Sequence, residues 1–370
     1  MLPSMSLYGG TESGTDLAWI LPDMSSGYLW GSGALIFVSG IFMTASGAGG
    51  GAVFVTILAS LGRLTAHQAI PLSKFIILTA SIAVFLLNTV FKGKTNFIDF
   101  KLVRAIVPMC LLGTLIGVLV NTVSSDRVLM ILLTVILVLI LLKTSKMAYD
   151  KWQVRNLPDP ASESSSGVIA EPQPGDDPLL PQRRTISRKK NFIMASLVPI
   201  VVVCGVFSKV SYVPTPTAII LYIIPICACV AVTIWFNKTS ANPSLVDELS
   251  YALVGFVGGF VSGLVGIGGG LIIAPFLLHK GVQPATAVAV SSTTILFASA
   301  STALQYLFLG RIAILVGLVL SMFSVPAGIL AVWVVRFIAR KYERQIFVYL
   351  LVVLAGATST VLAIIKAVQS

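Results

Sequence analysis

The chain has 370 residues, of which 56% are apolar and 11% charged, with a mean hydropathy of +0.96 and a net charge of +11. Soluble domains carry roughly 25% charged residues, so this composition excludes a protein hydrated on all sides and implies an all-α, polytopic membrane protein. The excess of Lys and Arg lies in short loops between apolar runs, where it sets membrane orientation rather than recognising nucleic acid.

The first 30 residues contain no Lys or Arg and lack the basic start of a signal peptide. They read as a non-cytoplasmic segment, with Trp19, Tyr28 and Trp30 placed as an interfacial belt. Ten hydrophobic segments follow, at 31–61, 68–91, 102–121, 127–147, 192–209, 216–236, 249–279, 286–309, 312–335 and 345–367. They group into a membrane repeat over 31–147, connecting helices within 192–248 and a second repeat over 249–370. Between the repeats, residues 148–191 are rich in Pro, Ser and charge and read as a disordered cytoplasmic linker. The stretch from Asp176 to Leu180 within it resembles an acidic dileucine signal. Cys110, Cys204, Cys227 and Cys229 fall inside apolar runs with no His or carboxylate near them in sequence, so neither a metal nor a cofactor is expected.

An internal repeat organises the chain. Residues 47–76 laid over 266–295 without a gap agree at nine of thirty positions, and five of these are glycines. Apolar bias does not put five glycines in register. Charge then predicts the sense of the duplication. The 143–190 loop holds nine Lys or Arg residues and belongs in the cytoplasm. If segments one and seven each dip to mid-membrane and return, the N-terminus falls outside. Lys92, Lys94, Lys101 and Arg104 then fall inside together with Arg336, Arg340, Lys341 and Arg344. The two repeats are thereby expected to be inverted, each opening with a glycine-broken re-entrant helix pair.

The breaks are Ser46–Gly51 and Val265–Gly270. Interrupted helices at matching places in two repeats are the best sequence pointer to a transporter's binding site. Close helix packing through small residues is the competing reading. Ten residues of helix after Gly51 span about 15 Å, half the hydrocarbon thickness of about 30 Å. The glycine tip and Ser73–Lys74 are therefore expected near one depth, as are Gly268–Gly270 and Ser292–Thr294. The half-helix N-termini carry free N–H groups, which suits a small anion. Candidate substrate-binding residues are Gly47, Gly49, Gly50, Gly51, Ser73 and Lys74 in the first repeat. In the second they are Gly266, Gly268, Gly269, Gly270, Ser292 and Thr293. Lys74 is the most unusual, because no carboxylate falls within the assigned spans; a Lys snorkelling to the interface is the plainer alternative. Gln305 and Tyr306 line the path or glue helices together.

The doubled pattern of Gly-x-Gly-Gly-Gly, a Gly-containing turn and a Ser/Thr-bearing helix resembles the sulfite exporter TauE/SafE family of membrane permeases. It reads Gly47–Gly51 with Ala66 and Ser73, and Gly266–Gly270 with Pro275, Ala285 and Ser292. The first copy has Thr56 where the second has Pro275, and Lys74 where the second has Thr293. The resemblance implies transport of sulfite, an organosulfonate or a related sulfur oxyanion; the residues alone reach only a small anion. The expected partners are that anion and membrane lipid, with homo-oligomerisation left open. An anion channel, or a scaffold or sorting receptor acting through the linker, is the alternative. An intramembrane enzyme is the weakest reading, since His67 and His279 sit at helix ends without partner carboxylates.

Overall fold

The computed structural model describes residues 26–62, 64–90, 98–156, 188–207, 215–238, 245–341, 357, 360 and 361. Most of the tenth segment, most of the linker and the N-terminal 25 residues lie outside this set. Eleven helices form among the described residues: α1 Ser26–Ala45, α2 Gly51–Ser60, α3 Ala66–Val90, α4 Phe100–Val123, α5 Asp126–Asn156 and α6 Arg188–Phe207, then α7 Thr215–Lys238, α8 Leu245–Val265, α9 Gly270–His279, α10 Pro284–Phe308 and α11 Ile314–Lys341. Seven of them are long and apolar enough to cross a bilayer, and the protein is an integral, multi-pass membrane protein. Helices α5 and α6 extend into the range read as linker, to Asn156 and from Arg188.

Glycine divides segments one and seven as their sequences suggest. Helices α2 and α9 are each ten residues long, and α3 and α10 are each 25. Gly50 and Gly269, the residues before α2 and α9, have φ of 74° and 67°, a region that L side chains avoid. The chain doubles back at each break. The position of Gly40 in α1 lies 3.5 Å from the Phe54 ring of α2, and Gly258 in α8 lies 3.4 Å from Ile273 of α9 (measured from an ideal Cβ).

Packing between the halves follows one scheme twice. Helix α1 lies on α11, with Trp30 edge-on to Phe323 at 5.8 Å and Gly40 against Ala327. Its counterpart α8 lies on α4. Gly255, Gly259 and Gly263 abut the carbonyls of Ile106, Cys110 and Thr114, while Gly113 and Gly117 abut those of Phe256 and Phe260. Both members of this pair rise together, so α4 and α8 run parallel. Small residues let their backbones approach where lipid offers no hydrophobic drive to associate. Helices α3 and α11 also run parallel, since Gly317 meets Phe75, Thr79 bonds Ser321 at 2.9 Å and Gly328 meets Val84. In contrast, α3 and α10 pass in opposite directions: Asn88 shares a cavity wall with Ala285, and Ile77 shares one with Ile295.

Candidate functional site

The two glycine breaks meet at the centre of the molecule. A methyl on Gly51 would strike the Gly266 carbonyl, and one on Gly270 would strike the Gly47 carbonyl. These clashes are counterparts under the internal repeat, and a methyl on Gly268 would also come within 2.9 Å of the Ala48 carbonyl. Only residues without a Cβ allow backbones this close. The competing reading of the glycines as packing devices thus describes part of what they do.

Both breaks leave helix-terminal carbonyls that need partners, and they find them differently. At the end of α1 the backbone closes on itself. Ala48 and Gly49 N–H donate to Met43 O at 2.9 and 3.3 Å, Gly47 N–H donates to Thr44 O at 3.0 Å, and the Ser46 hydroxyl donates to Met43 O at 2.8 Å. After α8, Gly269 N–H donates to Ile267 O at 2.8 Å, and other helices supply further donors. Tyr306 Oη of α10 donates to Gly263 O at 3.1 Å, Asn121 Nδ2 of α4 to Leu264 O at 2.7 Å, and Lys74 Nζ of α3 to Ile267 O at 3.3 Å. All three side chains are essentially fully buried.

Lys74 therefore does not snorkel. Its amine also lies 2.7 Å from Ser262 Oγ. A Lys at the bilayer centre costs about 2.5–3.5 kcal/mol on insertion scales. The negative end of α8 offsets at most about 2 kcal/mol of that. The acids described near this half, Asp99, Asp126 and Glu248, occupy helix starts.

Two adjoining cavities, of about 30 and 20 Å³, flank the first break. Both are walled by Thr44, Val84 and Ser292; one adds Asn88, Ala285 and Ala289, and the other Gly49, Ile77, Ser81, Ile295 and Ser324. Their size admits one or two waters each. Most buried hydroxyls here donate to a carbonyl of their own helix, as Ser73 does to Ile70 O at 2.8 Å and Thr293 to Ala289 O at 2.7 Å. The hydroxyls of Thr44, Ser81 and Ser292 make no such bond and converge on the cavity walls. Hydroxyl-bearing walls beside broken backbone suit a small oxyanion.

Of the twelve candidate residues, the structure places Gly49 and Ser292 on the cavity walls. Gly47, Gly51, Gly266, Gly268 and Gly270 form the contact between the breaks, and Gly47, Gly49, Gly50, Gly266 and Gly269 have positive φ. Ser73 and Thr293 bond within their own helices, and Lys74 holds the second break. Sequence reading missed Thr44, Ser81, Asn88 and Ser324. A signal existed for two of them: Ile77, Ser81, Val84 and Asn88 share one face of α3 at helical spacing.

Comparison with known proteins follows this geometry. The sequence model of the family described as Sulfite exporter TauE/SafE matches residues 32–208 and 179–358. The chain is similar to Sulfite exporter TauE/SafE family protein 1 of Arabidopsis thaliana, at 27% identity over 89% of this chain and 81% of that protein. It is also similar to family protein 5 of the same plant, at 26% identity over 90% of this chain and 81% of that protein. Family protein 3 aligns at 27% identity over 82% and 70%. No solved structure matches the chain.

Proposed function

Because this chain belongs to the sulfite exporter TauE/SafE family of membrane transporters, we propose that it is a secondary permease for a small sulfur oxyanion, sulfite or an organosulfonate, bound beside the first glycine break. The observation that carries this reading is the convergence of the Thr44, Ser81 and Ser292 hydroxyls on cavities bordered by Gly49. Sulfur oxyanions present only acceptor oxygens, so a wall of hydroxyl donors recognises them without a buried cation in contact. The first N–H groups of α2, which precede any possible partner within that helix, extend the donor set.

The conformation fits one side of an alternating-access cycle. The cavity walls reach Asn88 near the end of α3, Ala285 at the start of α10 and Val335 late in α11. Those helix ends lead to Lys92, Lys94, Arg336, Arg340 and Lys341, which the positive-inside rule puts in the cytoplasm. The opposite side is closed by the Lys74, Asn121 and Tyr306 bonds to the second break. The opposed directions of the equivalent helices α3 and α10 support an inverted pair of repeats, the arrangement in which rocking exchanges an open side for a closed one. A sulfur oxyanion is larger than a water, so it enters as the walls part.

Sulfite efflux from proteoliposomes tests the reading. Ser292→Ala, with its fold checked by melting, is expected to lower flux about tenfold, the loss of roughly 1.4 kcal/mol. Flux should saturate with sulfite, unlike that of an open channel. Undiminished flux in Ser292→Ala and Ser81→Ala together overturns the assignment of this cavity.

A further inference from the structure

Lys74 is a charged side chain that the permeation cavity does not use. It is wholly buried, and no ion pair with it exists among the described residues. Its two partners are the Ile267 carbonyl, which can only accept, and the Ser262 hydroxyl. Ser262 is unlike Ser46, Ser73, Thr114 and Thr293, whose hydroxyls each donate to a carbonyl of their own helix. Lys74 Nζ donates to Ser262 Oγ at 2.7 Å and to Ile267 O at 3.3 Å. A neutral amine has two N–H donors, and an ammonium has a third that would be buried without an acceptor. With Ser262 Oγ and Ile267 O as the two acceptors, a –NH2 group satisfies the site.

The surroundings supply no full negative charge. Cys110 of α4 lies within electrostatic reach of the amine, and Tyr306 of α10 caps the neighbouring Gly263 carbonyl. Helix α2 contributes none; α9 has only His279 at its far end, and α8 has Asp247, Glu248 and Tyr251 in its first two turns. Asp126 and Arg127 begin α5, remote along the sequence from its membrane-buried middle.

We propose that Lys74 is a proton-binding site linked to anion occupancy, neutral in the empty, cytoplasm-facing conformation and protonated when an oxyanion sits beside the glycine breaks. This rests on the permease reading above. Protonation converts –NH2 to –NH3+ with a proton from water, and adds a third N–H for which the empty site offers no acceptor. The link to the cavity is short. Ile267 precedes Gly268, where an added methyl would lie 2.9 Å from the Ala48 carbonyl, and Gly49 is on the cavity wall. A bound anion supplies the charge that favours the ammonium, and by reciprocity the ammonium favours the anion. Anion and proton then move together, and the loaded carrier bears less net charge than anion binding alone would leave.

Sulfite titrations of the full-length protein in detergent, in buffers of different ionisation heat, count the protons taken up per sulfite bound. Arg keeps a charge but does not release it, so Lys74→Arg removes the titration and leaves the cation. Wild type is expected to take up about one proton more per sulfite than Lys74→Arg, the sulfite's own protonation cancelling in the difference. If Lys74→Arg fails to fold, Lys74→Met serves the same comparison with the same expected difference. Equal uptake by wild type and a folded variant overturns the proton site and leaves the permease reading standing. Absence of any sulfite binding by wild type removes both.

Discussion

The two glycine breaks share sequence and backbone form but differ in how they are held. The first closes its helix-terminal carbonyls with its own N–H groups and borders a cavity. The second is also held by Lys74, Asn121 and Tyr306 from three other helices. Counterpart positions carry Thr293 for Lys74 and Leu87 for Tyr306, which cannot repeat those bonds. Divergence of a few side chains in a duplicated fold thus gives two equivalent breaks different neighbours. What the breaks share is geometry that only glycine allows; what separates them is which neighbours reach in.

The largest effect is expected where the breaks are alike. Gly51→Ala and Gly270→Ala each push a methyl into a carbonyl of the opposite break, and neither backbone can yield without moving the other. Overpacking of this kind costs about 1–3 kcal/mol or more. Both variants should lose melting temperature in detergent to a similar extent. A large loss in one and none in the other would break the equivalence of the two contacts.

The next effect separates the breaks. Asn121→Leu removes the donor to Leu264 O and leaves a buried carbonyl unpaired, at about 1–3 kcal/mol. Because the bond lies at the second break, the variant should melt earlier while sulfite affinity at the first break is retained. Loss of affinity as large as the loss of stability would show that the second break shapes the binding cavity directly.

Ser292 and Ser73 give a comparison at matched positions of the repeat. Ser292 faces the cavity with no intramolecular bond, whereas Ser73 is buried and bonded to Ile70 O. Ser292→Ala should lower sulfite flux about tenfold with little change in melting, and Ser73→Ala should leave flux within about twofold, a difference of under 0.5 kcal/mol. Equal losses of flux would mean that both breaks contact the anion, as the repeat alone suggests.

This contrast explains how much was legible beforehand. Three consecutive glycines in each half mark where a helix must stop, so the ten-residue lengths of α2 and α9 followed from the sequence. The turn at Gly281 and the returning helix followed as well. Packing partners did not. Nothing local to Lys74 says that its amine meets a carbonyl nearly two hundred residues away. Thr44, Ser81 and Ser324 look singly like packing hydroxyls. Their convergence depends on α1, α3, α10 and α11 meeting, which periodicity does not encode.

The smallest effect is expected from Tyr306→Phe, and it bears most directly on how the second break is held. Tyr306 is the largest fully buried side chain, and its hydroxyl donates to Gly263 O at 3.1 Å. The ring remains in Phe, so packing survives and only the bond is lost, at about 0.5–1.5 kcal/mol. Asn121 caps the adjacent carbonyl, so the two donors act on one helix end and their losses should not add. If the side chains together keep the second break closed, Tyr306→Phe with Asn121→Leu should destabilise by less than the sum of the single changes, since the end of α8 is already released by the first. Melting temperatures of the two single variants and the double variant measure this. Strict additivity would mean that each bond stabilises its own helix independently, and the second break would then owe its closure to packing rather than to its capping side chains.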